Sequence, residues 1–219
     1  MEAPVRVRFP LDMTRHSSAP AGSPTIVPGQ SLENPVTGER FTFRETAATT
    51  GGELLSFDLT LPPGAAVAFP HVHPIQTERF EVLEGRARFL VGLRTRSAGP
   101  GDVVDIAPGV LHAFANADDR EARLSVEVRP ALALEQMLTD VVALAVAGRL
   151  NRRGLPRNPF ELALLARTYD EVAHAPFLGV RRQRALLAPL VWAARRHVWS
   201  RSATGGQAVA LARDPVGLS

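Results

Sequence analysis

GAAVAFPHVHPIQTERFEVLEG, residues 64–85, and GDVVDIAPGVLHAFAN, residues 101–116, decide both the fold and the chemistry of this chain. In an extended strand residues i and i+2 face the same side, so His71 and His73 can reach one point while Val72 faces away. Pro74 ends that strand or leaves it at an edge. A strand pattern resumes at residues 77–83, where Glu78, Phe80 and Val82 share a face, so a carboxylate returns towards the imidazole pair. The second stretch turns at Ala107, Pro108 and Gly109 and continues through residues 110–115, with His112 and Phe114 on one face. His112 supplies a fourth donor.

Three imidazoles and a carboxylate make a mixed nitrogen and oxygen set that suits Fe, Mn, Ni, Zn or Cu and is a poor site for thiolate-preferring centres. One divalent transition metal per chain is the expectation, with His71, His73, Glu78 and His112 as ligands. The two stretches also resemble the paired motifs of the cupin superfamily, G-x5-H-x-H-x3-4-E-x6-G and G-x5-P-x-G-x2-H-x3-N. The first differs here by one extra residue between Gly64 and His71. In the second, Gly109, His112 and Asn116 keep their mutual spacing, while Ala107 stands at the usual proline position and Pro108 abuts Gly109. The resemblance covers roughly residues 26–130 and implies a double-stranded jelly-roll barrel, a metal site on the four residues named, and a homodimer formed through sheet contacts.

The rest of that region agrees with an all-β fold. Phe41 and Phe43 share a face of residues 40–44, and residues 53–61 alternate Leu55, Phe57, Leu59 and Leu61 against Ser56, Asp58 and Thr60. Residues 86–93 put Ala87, Phe89, Val91 and Leu93 on one side; residues 122–128 put Ala122, Leu124, Val126 and Val128 on one side. Short half-buried strands punctuated by Gly and Pro turns describe a sandwich or barrel.

After Pro130 the apolar period becomes helical. Residues 131–147 form an amphipathic pattern ended by Gly148; Asn158 and Pro159 look like an N-cap and first-turn proline for a helix over residues 160–173; a third run covers residues 180–199. That third run carries Gln183, Leu187, Leu190, Val191, Ala194 and Val198 on one face. Arg181, Arg182, Arg195, Arg196, Trp192 and Trp199 lie on the other, with Pro189 as an expected kink. The expected organisation is a flexible arm over residues 1–25, a barrel over 26–130, a helical extension over 131–201 and a frayed tail over 202–219.

Composition excludes several classes of function. With no cysteine there is no disulfide framework and no thiolate ligand or nucleophile. All 25 basic residues are Arg, so Schiff-base chemistry on a lysine is unavailable. The absence of an apolar leader or membrane-length apolar run makes a cytoplasmic protein the default. Residues 1–129 carry a net charge of −3 and residues 130–219 of +6. The basic helix is therefore a candidate for peripheral contact with an anionic membrane, although packing on the barrel or on a second subunit is the simpler expectation. Nucleic-acid binding is not expected, because no recognition motif accompanies the charge. His174 and His197 are expected to be surface or packing residues.

The expected activity is that of a metal-dependent enzyme of dioxygenase type acting on an enol, diketone or phenolic small molecule. Phe57, Phe69, Phe80, Phe89 and Phe114, which share parity with the ligands, would wall the substrate pocket. Glu78 serves as ligand or, as the resemblance to cupin oxygenases implies, leaves the metal and acts as catalytic base. A Lewis-acid isomerase or cyclase needs the same ligands. A non-catalytic ligand-binding or sensing module, with a tail that engages a partner or membrane, is the reading from another class.

Overall fold

In the computed structural model residues 26–205 are described. The expected arm over residues 1–25 and the tail from residue 206 onwards lie outside them, as do the side chains of His197 and Trp199.

Ten strands come first: β1 (Ser31–Glu33), β2 (Arg40–Glu45), β3 (Leu55–Leu61), β4 (Ala66–His71), β5 (Thr77–Glu84), β6 (Ala87–Val91), β7 (Arg94–Ala98), β8 (Val103–Ile106), β9 (His112–Asn116) and β10 (Ala122–Arg129). Three helices follow, α1 (Leu134–Val146), α2 (Pro159–Thr168) and α3 (Gly179–Gly205). The strands form two antiparallel sheets, one of six strands in the order β1-β2-β3-β10-β5-β8 and one of four in the order β4-β9-β6-β7. This is the jelly-roll barrel that the resemblance implied, with the helical extension that the change of period implied.

Period-two patterning explains which side of each strand faces inwards. On β5, Glu78, Phe80 and Val82 are buried while Thr77, Arg79 and Glu81 are exposed. β10 sits between β3 and β5, where Val126 lies opposite both Phe57 and Phe80, and its inward residues Leu124, Val126 and Val128 have no exposed surface. β3 departs from simple alternation, since Ser56 and Thr60 are buried along with the apolar set. It is an interior strand, and Arg44 from β2 reaches across it to Asp58 at 3.3 Å and to Ser125 Oγ on β10 at 2.7 Å. The Arg stem and its hydrogen bonds cover an outer face that would otherwise meet water.

Three expected boundaries are corrected. The strand expected over residues 86–93 ends at Val91. Leu93 sits in a hairpin turn at 88% exposure, and β7 follows as a further strand. β7 has an almost wholly exposed RTRSA sequence at a sheet edge, so it carries no apolar alternation to read. The first helix begins at Leu134 rather than residue 131, after Leu132 takes a left-handed conformation (φ 48°). The second ends at Thr168 rather than residue 173, and the apolar residues that prolonged its pattern, Tyr169 and Val172, are buried in a non-helical segment. Its start is as expected: Asn158 accepts from the Phe160 N–H at 2.9 Å and Pro159 occupies the first turn.

The extension packs on the barrel. Ala131, Leu134, Tyr169 and Val172 belong to the same buried cluster as the strand residues, with Met137, Leu138, Leu165 and Ala173 against it. Polar ties reinforce the contact: the Ala47 N–H donates to Glu135 Oε2 at 3.1 Å, and the Ala131 N–H donates to the Gly52 carbonyl at 3.0 Å. α3 buries Gln183, Val191 and Ala194, while Trp192 is exposed and stacks under Arg196 at 4.1 Å. Among the described residues no helix is long and apolar enough to cross a membrane.

Candidate metal centre

Each ligand candidate is delivered by a different part of one barrel end. His71 closes β4 and lies opposite His112, the first residue of β9. Glu78 enters from β5, opposite Ile106 of β8 and Val128 of β10. His73 stands on the connection beyond β4, and its carbonyl accepts the Gly109 N–H at 2.8 Å, so the turn of the second stretch is tied to the first. Gly109 has φ 76°, a conformation glycine adopts without strain, so moving the proline from position 107 to 108 leaves this turn intact. Asn116 is structural. Its amide donates to the carbonyls of Leu61, Pro62 and Arg120 at 2.9, 3.1 and 2.7 Å, which pins the far end of β9.

The structure brings all four sequence-derived ligands together. One donor atom from each of His71, His73, Glu78 and His112 lies within 4.8 Å of every other. His71 Nε2 is 3.0 Å from His73 Nε2, His73 Nε2 is 3.4 Å from Glu78 Oε1, and His112 Nε2 is 2.8 Å from Glu78 Oε2. Bonds of about 2.1 Å to one ion place neighbouring donors about 3.0–3.4 Å apart and opposite donors about 4.2 Å apart. The three close pairs, at 3.0, 3.4 and 2.8 Å, have the spacing of neighbouring donors in a shared coordination sphere.

Hydrogen bonding supports the same conclusion independently. All three Nδ1 atoms face backbone carbonyls: His71 that of Phe69 at 2.7 Å, His112 that of Val110 at 3.1 Å, His73 that of Val172 at 2.5 Å. A carbonyl only accepts, so each Nδ1 carries a proton, and in its neutral form each ring presents its lone pair at Nε2. The Nε2 lone pairs of His71 and His73 then confront one another, and that of His112 confronts a carboxylate oxygen. His112 Nε2 and Glu78 Oε2 are buried, close and without a directed hydrogen-bond partner. With all three rings neutral such an arrangement is repulsive, and a metal ion, or in its absence a proton on His73, relieves it. The donor set and its orphaned atoms fit a divalent transition metal.

Electrostatics match that demand. Burial, followed by repulsion from His112 and His73, pushes His71 down to about 3, so it is a neutral ligand at ordinary pH. Burial opposes ionisation of Glu78, but the close approach of His112 and His73 outweighs it and holds the carboxyl well below the usual range. Burial likewise opposes charge on His73, and the Glu78 contact outweighs it and raises that imidazole. The centre keeps an anion and favours one compensating positive charge.

The aromatic residues expected to wall a pocket divide into three groups. Phe80, Phe89 and Phe114 form a closed cluster with centroids 4.9–5.9 Å apart, two residues along β5 and β9 from Glu78 and His112. Phe57 packs elsewhere, on Phe41 and Phe43. Phe69 is a correction: it is 51% exposed, so its side chain does not wall the interior, and its contribution is the carbonyl that holds His71. The register of β4 against β9 shifts between Val67 and His71, and a shifted register breaks the parity from which an inward Phe69 was inferred.

Two contributors escaped the sequence. Gln76 has no exposed surface, donates from Nε2 to the carbonyls of Pro130 and Ala131 at 2.9 and 3.1 Å, and lies in hydrogen-bonding reach of His73. Val172 acts through its backbone oxygen, for which no side-chain pattern exists.

Residues 57–128 match the family model of the cupin domain. Those residues thus carry the match to a cupin domain, and all four candidate ligands lie within them. No curated protein matches the chain. Solved structures to which the chain is similar include a predicted oxalate decarboxylase from Thermotoga maritima, 18% identical over 46% of this chain and 90% of that one, with a TM-score of 0.42. An RmlC-like cupin from Shewanella frigidimarina is 20% identical over 46% and 84%, with a TM-score of 0.40. A sugar phosphate isomerase from Silicibacter pomeroyi is 24% identical over 48% and 67%, with a TM-score of 0.39. Those names describe those proteins.

Proposed function

We propose that this cupin is a metal-dependent enzyme of dioxygenase type acting on a small enol, diketone or phenol. The observation that carries the reading is the His3Glu cluster with all three Nδ1 atoms tied to carbonyls, so four donors face one point. His71, His73, Glu78 and His112 would hold a divalent transition metal, which would supply open positions for oxygen-donor ligands and, if redox-active, electron-transfer chemistry.

The chain's own residues supply orientation, an apolar surround and one proton acceptor. The Phe80, Phe89 and Phe114 cluster lies under the centre and keeps that side dry. Glu78, held ionised, is the group able to take the proton of an enol or phenol. Among the described residues the other buried carboxylates are committed elsewhere. Glu39 lies beside Thr37 and Asn34, Glu135 binds the Ala47 N–H, and Asp170 binds Arg167 and Arg184. A lone carboxylate without a partner acid favours metal-centred chemistry over the two-group proton shuttling of an isomerase.

The test is oxygen consumption by protein reconstituted with Fe(II), against a panel of 1,3-diketones, enols and catechols, with Glu78→Ala as control. Substrate-dependent uptake lost in the variant supports the proposal. Turnover of the panel with Zn(II) and no oxygen uptake replaces it with the Lewis-acid isomerase or cyclase. A second reading, ligand sensing without turnover, is favoured by the direct contact between the helical extension and His73; it predicts substrate binding and no product under either metal.

A further inference from the structure

His71 and His112 are held by their own strands, each through the carbonyl two residues earlier. His73 is held by Val172, 99 residues away in the helical extension. That difference singles out residues 169–174, the irregular segment between α2 and α3. Every side of it is fixed to a different element. Tyr169 donates its hydroxyl to Asp140 of α1 at 2.5 Å. Asp170, 1% exposed, receives Arg184 of α3 through two hydrogen bonds at 2.6 and 2.7 Å and Arg167 of α2 at 2.9 Å. The amides of Val172 and Ala173 both donate to the Tyr169 carbonyl at 2.9 Å, which turns the Val172 oxygen away from them and towards His73. His174 and Val72 then exchange a pair of backbone hydrogen bonds at 3.0 and 3.1 Å. The strap lies against the strand position immediately before His73.

We propose that residues 169–174 are a positioning part of the metal centre: the Val172 carbonyl fixes His73 as its Nδ1–H tautomer with Nε2 towards the ion, and the three helices set the affinity of the site by holding that carbonyl in place. The proposal rests on the reading of the cluster as a metal centre. His73 is 2% exposed and Val172 also 2%, so the strap that supplies the acceptor also keeps out the water that would otherwise replace it. Loosening the strap gives the imidazole both a second tautomer and freedom to rotate, and each removes the lone pair from the shared point. Metal-site partners of this kind change affinity by about 10- to 100-fold when lost. The extension is thereby a lever: anything that shifts α1 or α3 acts on the site through Asp140 or Arg184.

The experiment uses the full chain with Tyr169→Phe and Asp170→Ala, and with Arg149→Ala as a control that breaks the Arg149–Glu161 ion pair in the same extension, away from the strap. Zn(II) affinity is read against a chromophoric chelator, and the His73 tautomer is read from the ring 15N shifts of metal-free protein in alkaline solution, above the raised His73 value, where the ring is neutral. The strap variants bind Zn(II) about 10- to 100-fold more weakly and show His73 as a tautomer mixture; Arg149→Ala keeps native affinity and a single Nδ1–H tautomer. Tyr169→Phe removes one hydroxyl and stays folded if Asp170→Ala does not. Native Zn(II) affinity and a native His73 spectrum in a folded strap variant overturn the proposal. If the unmodified chain binds no metal while His73 is a single Nδ1–H tautomer that the strap variants disperse, the metal reading fails and the positioning contact stands. If His73 is dispersed in the unmodified chain, the positioning contact itself fails.

Discussion

Replacing Glu78 by Gln separates what the carboxylate does for the fold from what it does for the metal. In metal-free protein Glu78 is 8% exposed and His73 2%, with 3.4 Å between their charged atoms. The depressed Glu78 adds stability above the unfolded carboxylate range of about 4.5 that is lost as pH falls through its folded value. The raised His73 adds stability that is complete below its unfolded value of 6.5 and is lost as pH rises through its folded value. The pair is therefore worth most between the two, in mildly acid solution. Deleting one member of a buried ion pair costs about 3–5 kcal/mol when its partner remains charged. At about pH 5.5 the Glu78→Gln protein faces that penalty, reduced to the extent that His73 sheds its proton at about 1.4 kcal/mol per pH unit. In alkaline solution, at a pH above the raised folded value of His73, the imidazole is neutral in either protein, and exchanging an anion for an amide of the same shape costs little. Urea unfolding in EDTA at both pH values gives the comparison: a loss of at least about 2 kcal/mol in acid and under about 1 kcal/mol in base. Equal losses at both would refute the charge pairing.

Phe80→Ala removes a ring that is 1% exposed and packs on Phe89 and Phe114 at 5.4 and 4.9 Å; urea unfolding should show a loss of about 3–5 kcal/mol, and a loss under about 1 kcal/mol would mean that the aromatic floor is loose. Apparent Zn(II) affinity should begin to fall at a pH above the ordinary imidazole value of 6.5, because protons compete first at the raised His73; chelator competition across a pH series measures it, and an onset only near His71's value of about 3 would contradict it.

Much of this was legible in the chain because side-chain alternation reports strand faces directly. Glu78, Phe80 and Val82 follow the rule, and the four ligands follow from it together with the spacing of the two stretches. β7 was invisible because a solvent-exposed edge strand of Arg, Thr and Ser has no apolar face. Phe69 was misplaced because parity counts residues, whereas a register shift changes where they point. The pattern of α2 runs on past its end because buried Tyr169 and Val172 keep a helical spacing in a segment that tertiary bonds hold otherwise. Val172 itself contributes a main-chain oxygen that any residue would supply, so its place beside His73 exists only in the folded chain.

The central claim is that four side chains hold one ion, and elemental analysis of untagged protein purified without chelator, beside His73→Ala, tests it most directly. The account predicts close to one transition metal per native chain and a large loss in the variant. Neither protein retaining or taking up metal would contradict it.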